Sequence, residues 1–525
     1  MTYVLKSYLN DQWVAATSKL VDIPSAIDGT IVARTGVSDI DFAAAVRFAR
    51  EVGGKNLRAL TFHQRADILK ALATYLSEHK DLLYKSAENT GATKRDNQVD
   101  IEGGIGTLFA YASRAKRELP AAKFIVEGET EALSKGGNFS GNHILTPRAG
   151  VAVHINAFNF PVWGPLEKMA PAFLAGMPVI TKPATATAYV TEQLVRLIVE
   201  SGLLPKGALQ LVCGPTGDLL DHLNGQDSLG FTGSIETSDK LRNHPAVSKN
   251  AVRFVAERDS LNATVLGPDA VPGTAEFDLF VKEIVREMTV KAGQKCTAIR
   301  RVVVPRAQEA AVLDALKDRL SKVKVGDPRL EDTQMGALVS LAQRRSVQEK
   351  IKEIAMESEV VFGDPNFAGI EGADLKGGAF FHPVLLRCAN PLKAKRVHET
   401  EAFGPVATVM SYDTIEQAIQ LITMGEGSLV ASVFTYDNAA ASALVLGIAP
   451  YHGRLLVIDR DSGKESTGHG SPLPGLVHGG PGRAGGGEEL GGMRSVHHHL
   501  QRTALQASPQ RIASITAEEM SKASA

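Results

Sequence analysis

The stretch "GVAVHINAFNFPVWG", residues 150–164, decides the fold class, because it joins a short apolar run to polar residues and then to a helical pattern. Similar apolar runs follow it along the chain: "PVITK", "LQLV", "LGFT" and "VRFVAE". Helical stretches around 163–175, 187–200 and 236–243 separate these runs. Short strands that alternate with helices predict a doubly wound α/β domain with a parallel sheet.

Other patterns surround this domain. Apolar residues recur at helical spacing between 59 and 86, which predicts amphipathic helices. Glycine-rich turn signals between 123 and 147 indicate a hairpin or arm. Beyond Thr289, a strand-like "RRVVVP" and a charged helix near 307–322 form a second α/β pattern. The glycine-rich run "HGGPGRAGGGEELGG", residues 478–492, predicts a loop or a tight backbone passage.

The bulk composition excludes several classes of protein. A chain of 525 residues is expected to form two or three domains. A net charge of −1 gives no basic field for nucleic acid or an anionic membrane, and no apolar run reaches membrane-spanning length. Three scattered cysteines and the absence of a signal-peptide pattern indicate a reducing compartment. We therefore expect a soluble, cytoplasmic protein.

Polar residues follow the apolar runs, where parallel sheets bind ligands. Asn156 and Asn159 come after the first run. Their amides could stabilise a developing oxyanion, although asparagine before Phe-Pro is also an ordinary turn residue. Glu257 ends the run "VRFVAE" and is either a general base or the exit of that strand to solvent. Local residues leave both interpretations open.

Two further strand ends are typical of a cofactor site. Lys182 follows "PVIT", from where its ammonium could reach a ribose or a phosphate, although most exposed lysines are only solvated. Gly233 and Ser234 follow "LGFT" and open a helix. Backbone N–H groups with a hydroxyl cap form an anion site, but the same residues are common as helix N-caps.

Cys296 lies in "KAGQKCTAIRR", residues 291–301. A buried cysteine is usually a small apolar core residue. Here the neighbours are polar, and the adjacent Lys295 favours a thiolate. The local sequence therefore permits either a structural or a reactive cysteine.

Taken together and in order, "NAFNFP", "KPA", "FTGS", Glu257, "GQKC" and "EAFGP" resemble the aldehyde dehydrogenase superfamily over essentially the whole chain. The resemblance implies the aldehyde dehydrogenase fold: a Rossmann-like cofactor domain, an α/β catalytic domain and a small β oligomerisation arm. The implied boundaries are 1–119 and 149–257 for the cofactor domain, 258–470 for the catalytic domain, and 120–148 and 471–525 for the oligomerisation region and C-terminal tail.

The resemblance also implies catalytic roles. Cys296 corresponds to the nucleophilic thiol, and Asn159 together with the Cys296 backbone N–H corresponds to the oxyanion hole. Glu257 corresponds to the general base that hydrolyses the thioester, which favours a hydrolytic enzyme over acylating relatives that transfer to coenzyme A. Lys168 corresponds to the lysine that supports Asn159 and the proton path.

Cofactor residues follow from the same resemblance. Lys182, with Gly233 and Ser234, corresponds to the ligands of the cofactor ribose and phosphate. Glu401 corresponds to the residue that holds the nicotinamide ribose, and Phe403 to the one that packs beside the nicotinamide.

The residue after "KPA" bears on cofactor choice. NAD-preferring relatives often carry a glutamate at this position, whereas this chain has Thr185. A glutamate would repel a 2′-phosphate, and a threonine near Lys182 would accept it. We therefore expect NADP as the preferred cofactor, with NAD possible.

Longer stretches, such as "VDIEGGIGTLFAYA" at 99–112 and "KESTGHGSPLP", resemble the dehydrogenase domain of the bifunctional ring-opening enzyme of aerobic phenylacetate catabolism. A sister group oxidises 3,4-dehydroadipyl-CoA semialdehyde in benzoate degradation. The resemblance implies a CoA-linked semialdehyde substrate, and since the chain stops at Ala525, we expect no hydratase activity. A broad aliphatic aldehyde dehydrogenase and a catalytically idle protein on the same fold are the alternatives.

The chain departs from the superfamily pattern at several positions. "RDSLN" follows Glu257 in place of a glycine pair and lysine, and Ser238 replaces the second glycine of the "FTGS" turn. The run His497–His499 does not suit a metal site, since histidines in an extended segment alternate sides. We expect a surface strand or an intersubunit contact there, within a homodimer or larger homo-oligomer.

Overall fold

The computed structural model describes residues 2–37, 39–367, 377–488 and 490–521. Within these residues the strands form two seven-stranded sheets, one three-stranded sheet and one two-stranded sheet. The predicted α/β class is confirmed. None of the described helices has both the length and the apolar character that crossing a bilayer requires.

The first large sheet contains five parallel strands, with an antiparallel hairpin at one edge. The chain first adds strands on one side of Ala152–Ile155 and then crosses to the other side, where it adds Ser228–Thr232. Such a reversal opens a ligand-binding crevice at the carboxyl ends of the two strands. The strand order is Arg253–Glu257, Ser228–Thr232, Ala152–Ile155, Val179–Lys182, Leu209–Leu211, Lys6–Leu9 and Gln12–Ala15.

The helices around this sheet include those expected from the apolar periodicity. Capping boxes begin two of them, with Thr61 and Gln64 at one and Thr93 and Asp96 at the other. The α-helices are Phe42–Phe48, Gly54–Ala59, Phe62–Glu78, Lys80–Ala87, Lys94–Glu118, Trp163–Ala175, Ala188–Glu200, Ile235–Arg242 and Pro245–Lys249, with a π-helical turn at Ala49–Gly53 and 3₁₀ turns at Glu88–Thr90, Thr185–Thr187 and Leu219–His222.

The second large sheet is parallel except for one edge strand, Glu359–Phe362. Its strand order is Glu359–Phe362, Val384–Cys388, Val406–Tyr412, Arg301–Pro305, Ala263–Leu266, Ser428–Phe434 and His452–Ile458. Its α-helices are Ala275–Thr289, Glu309–Ser321, Leu341–Ile354, Arg396–Glu399, Ile415–Thr423 and Asn438–Ile448, with 3₁₀ turns at Val290–Gly293, Arg306–Gln308 and Ala449–Tyr451.

The hairpin predicted between 123 and 147 is confirmed. Strands Ile125–Ala132 and Ser140–Pro147 pair antiparallel, and Leu500–Ala507 joins them as a third strand. Helix Pro509–Ser521 follows that strand. A separate hairpin pairs Ser18–Pro24 with Ile31–Val37 near the N-terminus.

The expectation of an extended histidine segment is wrong. His497 and His498 end the helix Met493–His498, and the side chain of His499 is buried. The helix forms because Met493 and Val496 are spaced to bury one face. Burial lowers the pKa of His498 to about 4, so that ring is neutral at pH 7.

The glycine-rich run makes the tight passage that its composition predicts, and it contains a 3₁₀ turn at Gly482–Ala484. Gly485 has φ +110°, and an added Cβ would collide with the carbonyl oxygen of Ala256. The Arg258 N–H donates to the Ala484 carbonyl oxygen at 3.0 Å. Only glycine allows so close an approach, so the loop lies directly against the end of strand Arg253–Glu257.

Candidate active site

Cys296 lies on a loop with an unusual backbone. The turn Val290–Gly293 precedes it, and within that turn Lys291 and Ala292 have φ values of +52° and +51°. Left-handed conformations cost non-glycine residues on the order of 1–3 kcal/mol each. The Lys291 N–H donates to the Asp96 carboxylate at 3.0 Å, which helps to hold the turn. The surrounding structure therefore imposes the position of Cys296.

Asn262 fixes the other side of this loop. Its amide nitrogen donates to the carbonyl oxygens of Cys296 and Ala298, at 2.8 and 2.9 Å. Its amide oxygen accepts from the Ser260 hydroxyl at 2.7 Å and from the Val430 N–H at 3.1 Å. Sequence reasoning missed this residue, whose only signal was its place in the unusual "RDSLN" segment.

One cavity brings together the predicted catalytic residues Cys296, Glu257, Asn159 and Lys168. Arg95 and Arg286 also line it, and the side chain of Arg95 is exposed. The apolar part of the wall comes from Val99, Phe160, Trp163, Val290, Pro472 and Leu490. The cavity therefore offers an apolar path to the thiol, with cationic groups in its lining.

Glu257 is the last residue of its strand, and its carbonyl oxygen accepts from the Gly233 N–H at 3.1 Å. Its side chain is 5% exposed. A carboxylate oxygen of Glu257, the sulfur of Cys296 and a ring nitrogen of His478 all lie within 4.8 Å of one another. This separation allows proton exchange between these groups directly or through one water molecule.

Sequence reasoning also missed His478, whose only signal was its position at the start of the glycine-rich run. Its Nδ1 lies 2.8 Å from Oε1 of Glu167, and its Nε2 lies 3.5 Å from Oε2 of Glu257. Burial alone would lower the pKa of His478, but the negative charges of Glu167 and Glu257 outweigh it and raise the pKa to about 9. The ring is therefore an imidazolium at pH 7.

The surroundings of Cys296 disfavour a resting thiolate. Burial raises the pKa of the thiol well above its usual value, and the charge of Glu257 and its hydrogen bond with the thiol add to the effect. The expectation that Lys295 favours the thiolate is wrong, because its ammonium donates to both carboxylate oxygens of Glu287, at 2.7 and 2.8 Å. The thiol must lose its proton during the reaction.

The two asparagines predicted at the first strand end are both buried. The Asn159 amide donates to the Gln294 carbonyl oxygen at 3.1 Å, two residues before Cys296. The Asn156 amide donates to the Thr181 hydroxyl at 2.9 Å, and its amide oxygen has no hydrogen-bond partner among the described residues. Asn159 is therefore the asparagine that contacts the cysteine loop.

Helix Trp163–Ala175 carries Glu167 and Lys168, both of which are buried. Asp100 holds the start of this helix, where its carboxylate accepts from the Trp163 N–H at 2.8 Å. Burial raises the pKa of Asp100, and the hydrogen bond from the Trp163 N–H opposes that rise. A carboxylate is stabilised at a helix N-terminus, so a residue of the "VDIEGG" segment positions the catalytic helix.

The residues predicted to bind the cofactor phosphate and ribose are not among the described residues that line the cavity around Cys296. Lys182 ends strand Val179–Lys182, donates to the Pro183 carbonyl oxygen at 3.2 Å, and has a pKa lowered by burial. Thr185 is exposed at the start of a 3₁₀ turn. Gly233 precedes the exposed Ser234, which caps helix Ile235–Arg242 by accepting from the Thr237 N–H at 3.4 Å.

Glu401 and Phe403 lie between helix Arg396–Glu399 and strand Val406–Tyr412 of the second sheet. The Glu401 carboxylate accepts from the Ser260 N–H at 3.2 Å and from Nε of Arg300 at 3.3 Å. Burial raises the pKa of Glu401 to about 7, although Arg300 opposes the rise. The Phe403 ring packs edge-to-face on Phe158, with centroids 5.8 Å apart. Glu401 is therefore a fixed and buried carboxylate, in contrast to the solvated charge that its local sequence indicates.

The Aldehyde dehydrogenase family matches residues 13–490. A 3,4-dehydroadipyl-CoA semialdehyde dehydrogenase from Aromatoleum evansii is 46% identical over 482 residues, which cover 91% of this chain and 93% of that protein. Protein MaoC from Klebsiella aerogenes is 52% identical over 183 residues, covering 34% of this chain and 52% of that protein.

Solved structures share the fold. The crystal structure of a betaine aldehyde dehydrogenase point mutant from Staphylococcus aureus, in complex with NAD⁺, gives a TM-score of 0.83 at 24% identity and covers 96% of this chain and 98% of that chain. The predicted aldehyde dehydrogenase fold is confirmed. The chain therefore belongs to the aldehyde dehydrogenase family and is an aldehyde-oxidising enzyme.

Proposed function

We propose that the enzyme oxidises a CoA-linked semialdehyde to the carboxylic acid with NADP, in the aerobic catabolism of an aromatic acid such as phenylacetate or benzoate. The observation that carries this proposal is the 46% identity with a 3,4-dehydroadipyl-CoA semialdehyde dehydrogenase, over 91% of this chain. The cavity around Cys296 supports the reaction type, since it contains a thiol, a carboxylate and amide donors close together.

Cys296 is the nucleophile in this proposal. The thiol releases its proton to solvent, and the sulfur forms a bond to the aldehyde carbon. The oxygen that becomes negative is stabilised by the Asn159 amide and the backbone N–H of Cys296. The hydrogen bond from the Asn159 amide to the cysteine loop supports this role. Lys168, in the same cavity, supports Asn159 and the proton path.

A nicotinamide cofactor fits the crevice at the strand-order reversal. Ser234 leaves the N-terminus of helix Ile235–Arg242 open to a phosphate, Lys182 lies at a neighbouring strand end, and the buried hydroxyl of Thr232 has no partner among the described residues. Glu401 is fixed at a position suited to a ribose hydroxyl. When bound, this cofactor supplies the hydride acceptor for the oxidation.

The preference for NADP rests on Thr185. The residue is exposed and uncharged at the start of the turn that follows Lys182. Thr185 therefore leaves space for a 2′-phosphate and places no negative charge beside it. A glutamate at this position would repel that group. Thr185→Glu is expected to shift the preference toward NAD, as measured by the ratio of kcat/KM for the two cofactors.

Glu257 acts as the base in the second half of the reaction. Loss of hydride leaves a thioester on Cys296, and Glu257 removes a proton from the water molecule that attacks this thioester. The C–S bond then breaks, the acid leaves, and the sulfur recovers a proton. The position of Glu257 beside the thiol, buried at a strand end, supports this role.

A broad-specificity aliphatic aldehyde dehydrogenase is the alternative function. The apolar side chains of Phe160, Trp163 and Val290 in the cavity wall favour it, because they would also accept a simple alkyl aldehyde.

The two functions are separated by following NADPH formation. A CoA-linked semialdehyde, made in situ by a ring-cleaving enzyme, is compared with hexanal, and NADP is compared with NAD. The proposal predicts a strong preference for the CoA-linked substrate with NADP. Equal or better turnover of hexanal would support the alternative.

We also propose that the chain assembles as a homodimer or larger homo-oligomer through residues 120–148 and 471–525. The three-stranded sheet in this part of the chain supports the proposal, since both edge strands, Ile125–Ala132 and Leu500–Ala507, are largely exposed. Light scattering after gel filtration tests this assembly, and a monomer at micromolar concentration would contradict it.

A further inference from the structure

The side chain of His478 lies between two carboxylates beside the reactive thiol. We propose that His478 is a positioning residue for the hydrolytic step, in which it holds Glu257 ionised and directed at the thioester on Cys296, while Glu167 anchors its own ring. The inference rests on the proposed function, since it concerns the thioester of that reaction.

The geometry distinguishes the two ring nitrogens. Nδ1 makes a short hydrogen bond to Glu167, at 2.8 Å. Nε2 faces Glu257 at 3.5 Å and has no hydrogen-bond partner among the described residues. One nitrogen is therefore held, and the other leaves a gap beside Glu257 and Cys296 that a reacting water molecule could bridge.

The backbone explains how the histidine reaches this place. The glycine-rich loop packs against the strand that ends at Glu257, with Gly485 touching Ala256 and the Arg258 N–H bonded to the Ala484 carbonyl oxygen. His478 begins this loop, and its Nε2 lies 3.5 Å from a carboxylate oxygen of Glu257. The close packing of the loop on the strand end is consistent with this position of the imidazole.

The charged and titratable groups named here around the ring lie on four elements. Glu167 lies on the catalytic helix, Glu257 on the strand end, Cys296 on its loop, and Arg454 on strand His452–Ile458. Arg454 lowers the pKa of His478, but the two carboxylates outweigh it and the pKa rises to about 9. The ring is therefore an imidazolium at pH 7.

The hydrolytic step requires such a cation. Two buried carboxylates and a sulfur that becomes negative repel one another, and a protonated Glu257 cannot accept a proton from water. In the step itself, the water oxygen bonds to the thioester carbon, its proton moves to Glu257, and the C–S bond breaks. Glu257 then returns the proton to the sulfur, while the imidazolium keeps both of its protons throughout.

The test follows the hydrolysis of p-nitrophenyl acetate by the whole chain. This reaction needs neither the cofactor nor a CoA-linked substrate. Acylation of Cys296 releases a burst of nitrophenolate, and hydrolysis of the resulting thioester sets the steady rate. His478→Gln keeps a hydrogen-bond donor but removes the charge. We expect the burst to remain and the steady rate to fall about 10-fold or more, with its acidic limb moved to higher pH because a cation no longer favours the ionised carboxylate.

Two further variants keep the inference testable if His478→Gln folds poorly. Glu167→Gln leaves the histidine in place and removes a negative charge that opposes the ionisation of Glu257, so it should move the acidic limb to lower pH, opposite to His478→Gln. His398→Gln removes another buried histidine, which bonds to Arg301 and the Pro391 carbonyl oxygen away from the cavity, and should leave the limb in place.

Distinct results overturn the two proposals. An unmoved acidic limb in both His478→Gln and Glu167→Gln would overturn the role of His478, whatever the loss of rate. A wild-type enzyme that shows no burst, or a Cys296→Ala enzyme that still shows one, would instead overturn the thioester chemistry of the proposed function.

Discussion

Two charged centres flank Cys296, and they differ in how completely their charges are paired. The Lys295–Glu287 centre has one cation and one carboxylate, joined by hydrogen bonds of 2.7 and 2.8 Å, with side chains 7% and 0% exposed. The His478 centre has one cation between two carboxylates, Glu167 and Glu257, and its Nε2 lacks a hydrogen bond among the described residues.

The difference separates a structural role from a chemical one. In a closed pair each charge is matched by its partner, so neither group is expected to exchange protons with the substrate. The open centre keeps an excess negative charge and an unused donor beside the thiol, which is the arrangement needed where a base must stay ionised and then accept a proton.

Removing the base from the open centre should affect the reaction most. Glu257→Gln is expected to slow thioester hydrolysis by about 10²–10⁴-fold, because no carboxylate remains to activate water. Steady-state NADPH formation measures this loss, and a first burst of NADPH shows whether acylation survives. A Glu257→Gln enzyme that turns over at the wild-type rate at neutral pH would show that Glu257 is not the general base.

Breaking the closed pair should affect stability. Lys295→Met leaves the Glu287 carboxylate buried without its partner, which typically costs 3–5 kcal/mol. Urea unfolding measures the free energy of unfolding. The double variant Lys295→Met with Glu287→Gln is the matched control, and it should recover most of the lost stability. A single variant as stable as the wild type would show that Lys295 and Glu287 do not form a closed pair.

The open centre should make stability depend on pH. The folded-state pKa of His478 is raised to about 9 from a usual value near 6.5, so its contribution is fully present below pH 6.5 and is lost as the pH rises through 9. The 2.5-unit shift corresponds to roughly 3 kcal/mol. The difference in unfolding free energy between wild type and His478→Gln should shrink between pH 6.5 and 9.5. A constant difference would contradict the raised pKa.

The smallest expected effect concerns the thiol itself. Glu257 contributes to the raised pKa of Cys296, so Glu257→Gln should lower the pH at which iodoacetamide modifies Cys296 by about one unit. Peptide mass spectrometry measures the modification at each pH. The buried Cys213 and Cys388 serve as internal controls, and an unchanged or raised midpoint for Cys296 would exclude the proposed influence of the carboxylate.

The sequence predicted much of the first sheet, because strand ends and helix periodicity are local features. The strands that end near Ile155, Lys182 and Glu257 and the helices between them lie within a few residues of their predicted places. The predicted roles of Cys296 and Asn159 came from a resemblance to a family, and the structure places both in one cavity.

The remaining features depend on long-range packing. Glu167 and His478 are 311 residues apart, and no local pattern relates them. Lys295 looked like an activating neighbour of Cys296 because sequence adjacency does not reveal Glu287, which binds it across a helix end. His497–His499 looked extended because a triple histidine has no periodicity of its own, whereas Met493 and Val496 determine the helix.

The most direct test of the central claim is the intact mass of Glu257→Gln after reaction with a CoA-linked semialdehyde and NADP. The account predicts an added mass equal to the substrate less two hydrogen atoms, located on Cys296 by peptide mapping, because the thioester forms but is not hydrolysed. An unmodified enzyme that has nonetheless produced NADPH, or an acyl group on another residue, would contradict it.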